Sequence, residues 1–169
     1  VYLASTDAHA LHALDATSGE PLWQYTFDGR VDSPPTIHEG LVLCGCRDGS
    51  VHALRAVDGT LVWRFLASPE QRLIVSRGQL ESVWPVHGSV LVVGDELFFA
   101  AGRSSYVDDG LYLYKLNPRT GELLGEQRIY SRDKTGRPAD AKGGRGQSYP
   151  GGLSDILSAD QRHVFMRDV

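Results

Sequence analysis

The chain has 169 residues, a formal net charge of -4 and a pI near 5.8. That balance offers no basic footprint for a phosphate backbone, so nucleic acid is excluded as a bulk partner. The longest apolar runs, Val90 to Val93 and Leu97 to Ala101, fall far short of the ~20 residues a membrane-spanning helix needs, so no span is expected here.

Taken in chain order, the sequence alternates with a period of two and is punctuated by Gly-ending turns, which predicts an all-β chain. Val1 to Phe27 reads as three short strands. Ser33 to Ile37, Leu41 to Cys46, Ser50 to Ala56 and Thr60 to Leu66 read as four more, separated by the turns HEG, RDG and VDG, in which Gly accepts positive φ cheaply. These two units are copies at an interval of 40 residues: His12, Ala13, Leu14, Gly19 and Trp23 recur as His52, Ala53, Leu54, Gly59 and Trp63. A third copy, stretched by insertions, covers about His87 to Tyr130, and Gly152 to Arg167 reads as two further strands, about 13 in all. Four antiparallel strands per 40-residue repeat describe a propeller blade, whose apolar faces are buried only against its neighbours.

The expected division is a partial blade at 1–28, a full blade at 29–67, a blade with insertions at 68–130, and a loop with a partial blade at 131–169. A closed ring needs at least ~4 blades. The chain also opens inside one strand and stops inside another, so it is expected to be an incomplete segment of a larger β-propeller, with the other blades of a parent chain as its first partners. Cys44 and Cys46 lie two apart on one strand with parallel side chains, a poor geometry for a disulfide. Both are expected to be buried thiols.

The segment ALDATSGEPLW, Ala13 to Trp23, resembles the tryptophan-docking motif of the pyrroloquinoline quinone (PQQ)-like β-propeller repeat family, through Ala13, Asp15, Gly19 and Trp23. The second copy keeps Ala53, Gly59 and Trp63. The third keeps Gly121 but has Lys115 in the Ala place and Gly125 in the Trp place. The resemblance implies that the tryptophans dock between blades as structural elements. His12 and His52 occupy equivalent positions in successive blades, which are packing sites, so both are expected to be structural and not ligands. The resemblance also implies a choice of function. Some members are non-catalytic propeller lipoproteins of outer-membrane assembly, while others are quinoprotein dehydrogenases that use PQQ with calcium. The adjacent Cys-Cys pair expected in many of the alcohol dehydrogenases is absent, since Gly45 separates Cys44 from Cys46.

Three insertions interrupt the period, around Ala67 to Ser82, Arg103 to Gly110 and Ser131 to Gly151. In an up-and-down blade the two-to-three and four-to-one connections leave by the same edge, so all three are expected on one rim, where repeat proteins commonly bind. The candidate binding residues there are Trp84, His87, Arg103, Tyr106, Asp108, Asp109, Arg137, Lys142 and Arg145. Asp108 and Asp109 offer hard oxygens, but two adjacent carboxylates in a hairpin loop are ordinarily turn residues, so no metal is expected. The run KGGRGQ lacks the ending and the strand-to-helix setting of a nucleotide loop. No nucleophile elbow or placeable Ser/His or Cys/His pair supports covalent catalysis. The expected function is a non-catalytic binding or scaffold module without a cofactor, exported to the periplasm, cell envelope or exterior, holding a protein or glycan on this rim. The alternative is a fragment of a PQQ- and calcium-dependent alcohol or sugar dehydrogenase.

Overall fold

The computed structural model describes residues 1–131, 156–160 and 162–166. Fifteen strands are found among them: β1 (Tyr2–Ser5), β2 (Ala10–Leu14), β3 (Pro21–Thr26), β4 (Thr36–His38), β5 (Leu41–Gly45), β6 (Ser50–Arg55), β7 (Leu61–Leu66), β8 (Leu73–Ser76), β9 (Gln79–Ser82), β10 (Leu91–Val93), β11 (Glu96–Ala101), β12 (Leu111–Leu116), β13 (Leu123–Ile129), β14 (Ser158–Ala159) and β15 (Val164–Phe165). Every pairing is antiparallel and follows chain order, in sheets β1-β2-β3, β4-β5-β6-β7 and β10-β11-β12-β13, with two-stranded ladders at β8-β9 and β14-β15. No helix is present among the described residues. This is the meander of an incomplete β-propeller.

Alternation places the core on both faces of the middle sheet. Val42, Cys44 and Leu54 face Leu11 of the first sheet and Phe27 and Val31 of the segment that follows it, while Leu43, Val51 and Ala53 face Phe99, Tyr112 and Tyr114 of the third. Because β6 is sandwiched in this way, five of its six residues are buried, whereas the outer strand β7 is half-buried at two alternate positions and exposed elsewhere. One irregularity repeats in all three sheets: the register shifts between Ala13 and Leu14, Ala53 and Leu54, and Lys115 and Leu116. The bulge sets Ala13 opposite Trp23 and Ala53 opposite Trp63. In the third sheet it sets Lys115 opposite Gly125, so the large and small partners have exchanged strands.

The structure corrects the sequence reading in two places. Pairing of the second sheet begins at Thr36 rather than Ser33, because Pro34 and Pro35 have no N–H to give a ladder. The insertion around Ala67 to Ser82, read as a loop, contains the hairpin β8-β9. Its turn is Arg77-Gly78, with φ of 50° and 76°, the two-residue geometry that matches strand twist.

Candidate functional site

The connections between second and third strands, and between sheets, converge on one edge of the stack. Arg47, in the turn after β5, donates to Glu81 Oε2 at 2.8 Å and also pairs with Asp32. Arg103, in the loop after β11, lies 3.5 Å from Glu81 Oε1 and donates to the Ser82 carbonyl at 3.1 Å. The buried Glu81 carboxylate on β9 is thus clamped by guanidiniums from two successive sheets. Burial alone would raise its pKa. Hydrogen bonds from Ser76 and Arg47, and the charges of Arg47 and Arg103, more than offset that and hold it below the usual carboxylate value. On the hairpin's other side, Gln79 meets the His9 ring at 3.1 Å, tying the insertion to the first sheet as well.

Of the residues expected to bind on this rim, the structure gathers several and removes one. Trp84 is only 1% exposed and lies in the core, so it cannot meet a ligand. Its ring sits edge-on to Tyr112, under the Arg72 guanidinium, and its Nε1 donates to the Asp108 carbonyl at 2.6 Å. The Asp108 carboxylate accepts from Arg72 at 3.0 Å, and that of Asp109 from Arg128 at 3.0 Å. Both aspartates have positive φ, as turn residues do. Tyr106 is half-buried, its N–H donating to Ser104 Oγ. His87 lines a different cavity, of about 440 Å³, with Asp32, Thr36 and Ser89. Arg137, Lys142 and Arg145 lie outside the described residues, as does most of the third insertion.

Sequence reading missed Arg47, Arg72 and Glu81, and with them the hairpin that they anchor. The signal was present in LIVSRGQLES, Leu73 to Ser82, which alternates on both sides of an Arg-Gly pair. Cys44 and Cys46 are free and buried. Burial pushes the Cys44 thiol up to about 12 and raises that of Cys46 as well, where the Asp48 charge adds to the effect. Neither serves as a nucleophile near neutral pH.

The opposite edge carries the repeat's structural signature. The Trp23 ring lies flat on Gly59 of the next sheet, where an added Cβ would come within 2.6 Å of the ring, and its Nε1 donates to the Ala56 carbonyl at 3.0 Å. Trp63 repeats the arrangement on Gly121, with a would-be Cβ at 2.8 Å and Nε1 donating to the Pro118 carbonyl at 3.0 Å. Glycine is required at Gly59 and Gly121 twice over, since φ is 73° and 72°. In the third sheet Gly125 supplies no ring, and a cavity of about 390 Å³ opens beside Tyr114, Lys115, Leu157 and Val164.

A family profile described as outer membrane protein assembly factor BamB matches residues 1–149. The chain belongs to this PQQ-like propeller family. An outer membrane protein assembly factor BamB from Yersinia pestis is 31% identical over 130 residues, covering 76% of this chain and 28% of that protein. A second BamB, from Moranella endobia (strain PCIT), is 33% identical over 63 residues, 37% of this chain and 16% of that protein. Among solved structures, quinohemoprotein alcohol dehydrogenase from Comamonas testosteroni superposes with a TM-score of 0.68 at 20% identity, over 94% of this chain and 26% of that one. The last likeness shows the fold alone. The chain spans about a quarter of the length of the Yersinia pestis relative and of this dehydrogenase.

The three tryptophans and the rim arginines among the described residues do not fit the quinone cofactor that some members of this fold use. A flat tricarboxylate needs an open aromatic face and unpaired cations. Here Trp23 and Trp63 are docked on glycines, Trp84 is in the core, and Arg47, Arg72, Arg103 and Arg128 are each paired with a carboxylate. Calcium needs 6 to 8 oxygens, and the carboxylates of Asp108 and Asp109 already face guanidiniums.

Proposed function

We propose that this chain is a segment of a larger, non-catalytic propeller that works as a binding or scaffold module in the cell envelope. It holds a polypeptide involved in outer-membrane protein assembly on the loop-rich rim. The observation that carries this reading is the outer face of the inserted hairpin. Leu73, Val75 and Leu80 are 57%, 74% and 61% exposed, and Val75 pairs with Leu80 across the ladder, so the three form one aliphatic strip. The intervening Ile74 turns inward and packs on the core. Two strands alone are marginal in water. This pair is held by the buried Glu81 clamp, which is how a rigid scaffold presents an apolar strip it does not cover itself.

The strip is aliphatic, without the flat rings on which sugars stack, which favours a polypeptide over a glycan. Among the described residues β8 and β9 pair only with each other, so a hairpin edge is open to an added strand, a recurrent mode of peptide capture. The names of the sequence relatives, outer membrane assembly factors, support the partner class and the envelope location.

The test is a photo-reactive residue at position 75 of the full-length protein in cells. One discrete polypeptide adduct, identified as an outer-membrane assembly component, is expected. It should disappear with the pair Leu73→Asp and Leu80→Asp, whose exposed positions should shift stability by no more than ~0.5 kcal/mol each. Absence of an adduct, or an adduct indifferent to the aspartates, would remove the hairpin from the account.

A further inference from the structure

Cys44-Gly-Cys46-Arg-Asp48 closes β5 and enters the turn, and β6 returns through His52. Cys44 stands opposite His52 in the ladder, and Cys46, two residues on, shares that face. The hairpin thereby gathers Cys46 Sγ, an Asp48 carboxylate oxygen and a His52 ring nitrogen within 4.8 Å of one another, between the first and second sheets. Tyr25 and Phe27 wall the imidazole at ring distances of 6.0 and 5.0 Å.

His52 is 2% exposed, yet neither of its ring nitrogens has a hydrogen-bond partner among the described residues. An orphaned imidazole in an apolar box is costly. The distance from Asp48 Oδ2 to Nε2 is 3.5 Å, long for a hydrogen bond. It is close to the roughly 3.3 Å edge between N and O ligands in a tetrahedral shell with bonds of about 2.0–2.2 Å.

The surroundings suit a divalent charge. Asp48 Oδ1 accepts the Ser50 N–H at 2.8 Å and Oδ2 accepts Arg64 Nη2 at 2.7 Å, so both carboxylate oxygens are fixed by hydrogen bonds. Arg64 is itself balanced by Asp28 at 3.2 Å. With the thiol protonated, Cys46, Asp48 and His52 together carry one negative charge. Binding forms an S–M bond and releases the thiol proton to solvent, so a dication brings the three ligands to neutrality and leaves the Arg64–Asp28 pair as it was. Asp28, Asp48 and Arg64 also line a cavity of about 340 Å³, which reaches the cluster at Asp48.

We propose that Cys46, Asp48 and His52 bind a borderline-soft divalent cation of the Zn²⁺ class, with water in the fourth position, cross-linking the turn and the third strand of one blade at its seam with the neighbouring blade. Sulfur and imidazole nitrogen select against Mg²⁺ and Ca²⁺, which take oxygen ligands.

The test is titration of reduced, metal-free full-length protein with Co²⁺, followed by absorbance. A saturable one-to-one near-ultraviolet thiolate-to-cobalt charge-transfer band is expected, displaced by Zn²⁺, retained in Cys44→Ser and lost in Cys46→Ser. Surface histidines cannot produce that band, because it requires sulfur. Should Cys46→Ser fail to fold, the wild type still decides: Zn²⁺ should raise Tm where equal Mg²⁺ or Ca²⁺ does not. No band in the wild type, a band that persists in Cys46→Ser, or an equal response to all three ions would overturn the site.

Discussion

Replacing Trp84 with alanine should lower the unfolding free energy by about 3–5 kcal/mol, the cost of emptying a fully buried large aromatic site. The side chain is among the largest of those with no effective exposure, and it belongs to the cluster that joins the second and third sheets. Its loss removes the edge-on contact with Tyr112, the cover over which Arg72 sits, and the donor to the Asp108 carbonyl. The effect should therefore reach both the hairpin and the loop after β11. Denaturant unfolding of the full-length variant is the measurement. A loss below about 1 kcal/mol would mean that the indole is not sealed between the sheets.

Trp63→Ala should cost about 3 kcal/mol, less than full burial would give because the ring is half-buried. Its partner makes the sharper test. Gly121→Ala should also destabilise, since its Cβ would lie 2.8 Å from the Trp63 ring at a backbone angle that L residues avoid. With the ring removed, the steric part vanishes and the backbone part of roughly 1 kcal/mol remains. The two substitutions should then fall short of additivity by about 1–2 kcal/mol, within the range found for residues in contact. Strict additivity in denaturation would show that ring and glycine do not dock.

The docking tryptophans were legible in the sequence because the motif is written locally, a glycine and then a tryptophan four residues later. Which glycine each ring meets was not legible: Trp23 lies on Gly59 and Trp63 on Gly121, and the insertions of the third copy move Gly121 off the 40-residue interval. The rim was legible only as a place. Strand parity predicts which connections share an edge, and contacts such as Arg47 to Glu81 and Arg72 to Asp108 join them there. Which side chain faces solvent was not legible. Trp84 looked available because it follows the first insertion on the expected rim, but the inserted hairpin and the Asp108 loop close over it. Glu81 looked like an ordinary loop acid. Its meaning depends on Arg47 and Arg103, 34 and 22 residues away in sequence, and no local pattern joins them.

The third copy shows the opposite limit. Lys115 and Gly125 break the motif when read one at a time, yet they face each other across the ladder and exchange bulk. The Lys115 stem approaches the Gly125 position at 3.8 Å, as an apolar stem can do while its amine pairs with Glu96 at 2.8 Å.

The measurement that bears most directly on a non-catalytic scaffold is calorimetric titration of the complete propeller with PQQ and Ca²⁺, coupled to dye-linked alcohol oxidation. The account predicts no saturable heat and no turnover. Saturable binding accompanied by turnover would contradict it and make this chain part of a quinoprotein dehydrogenase.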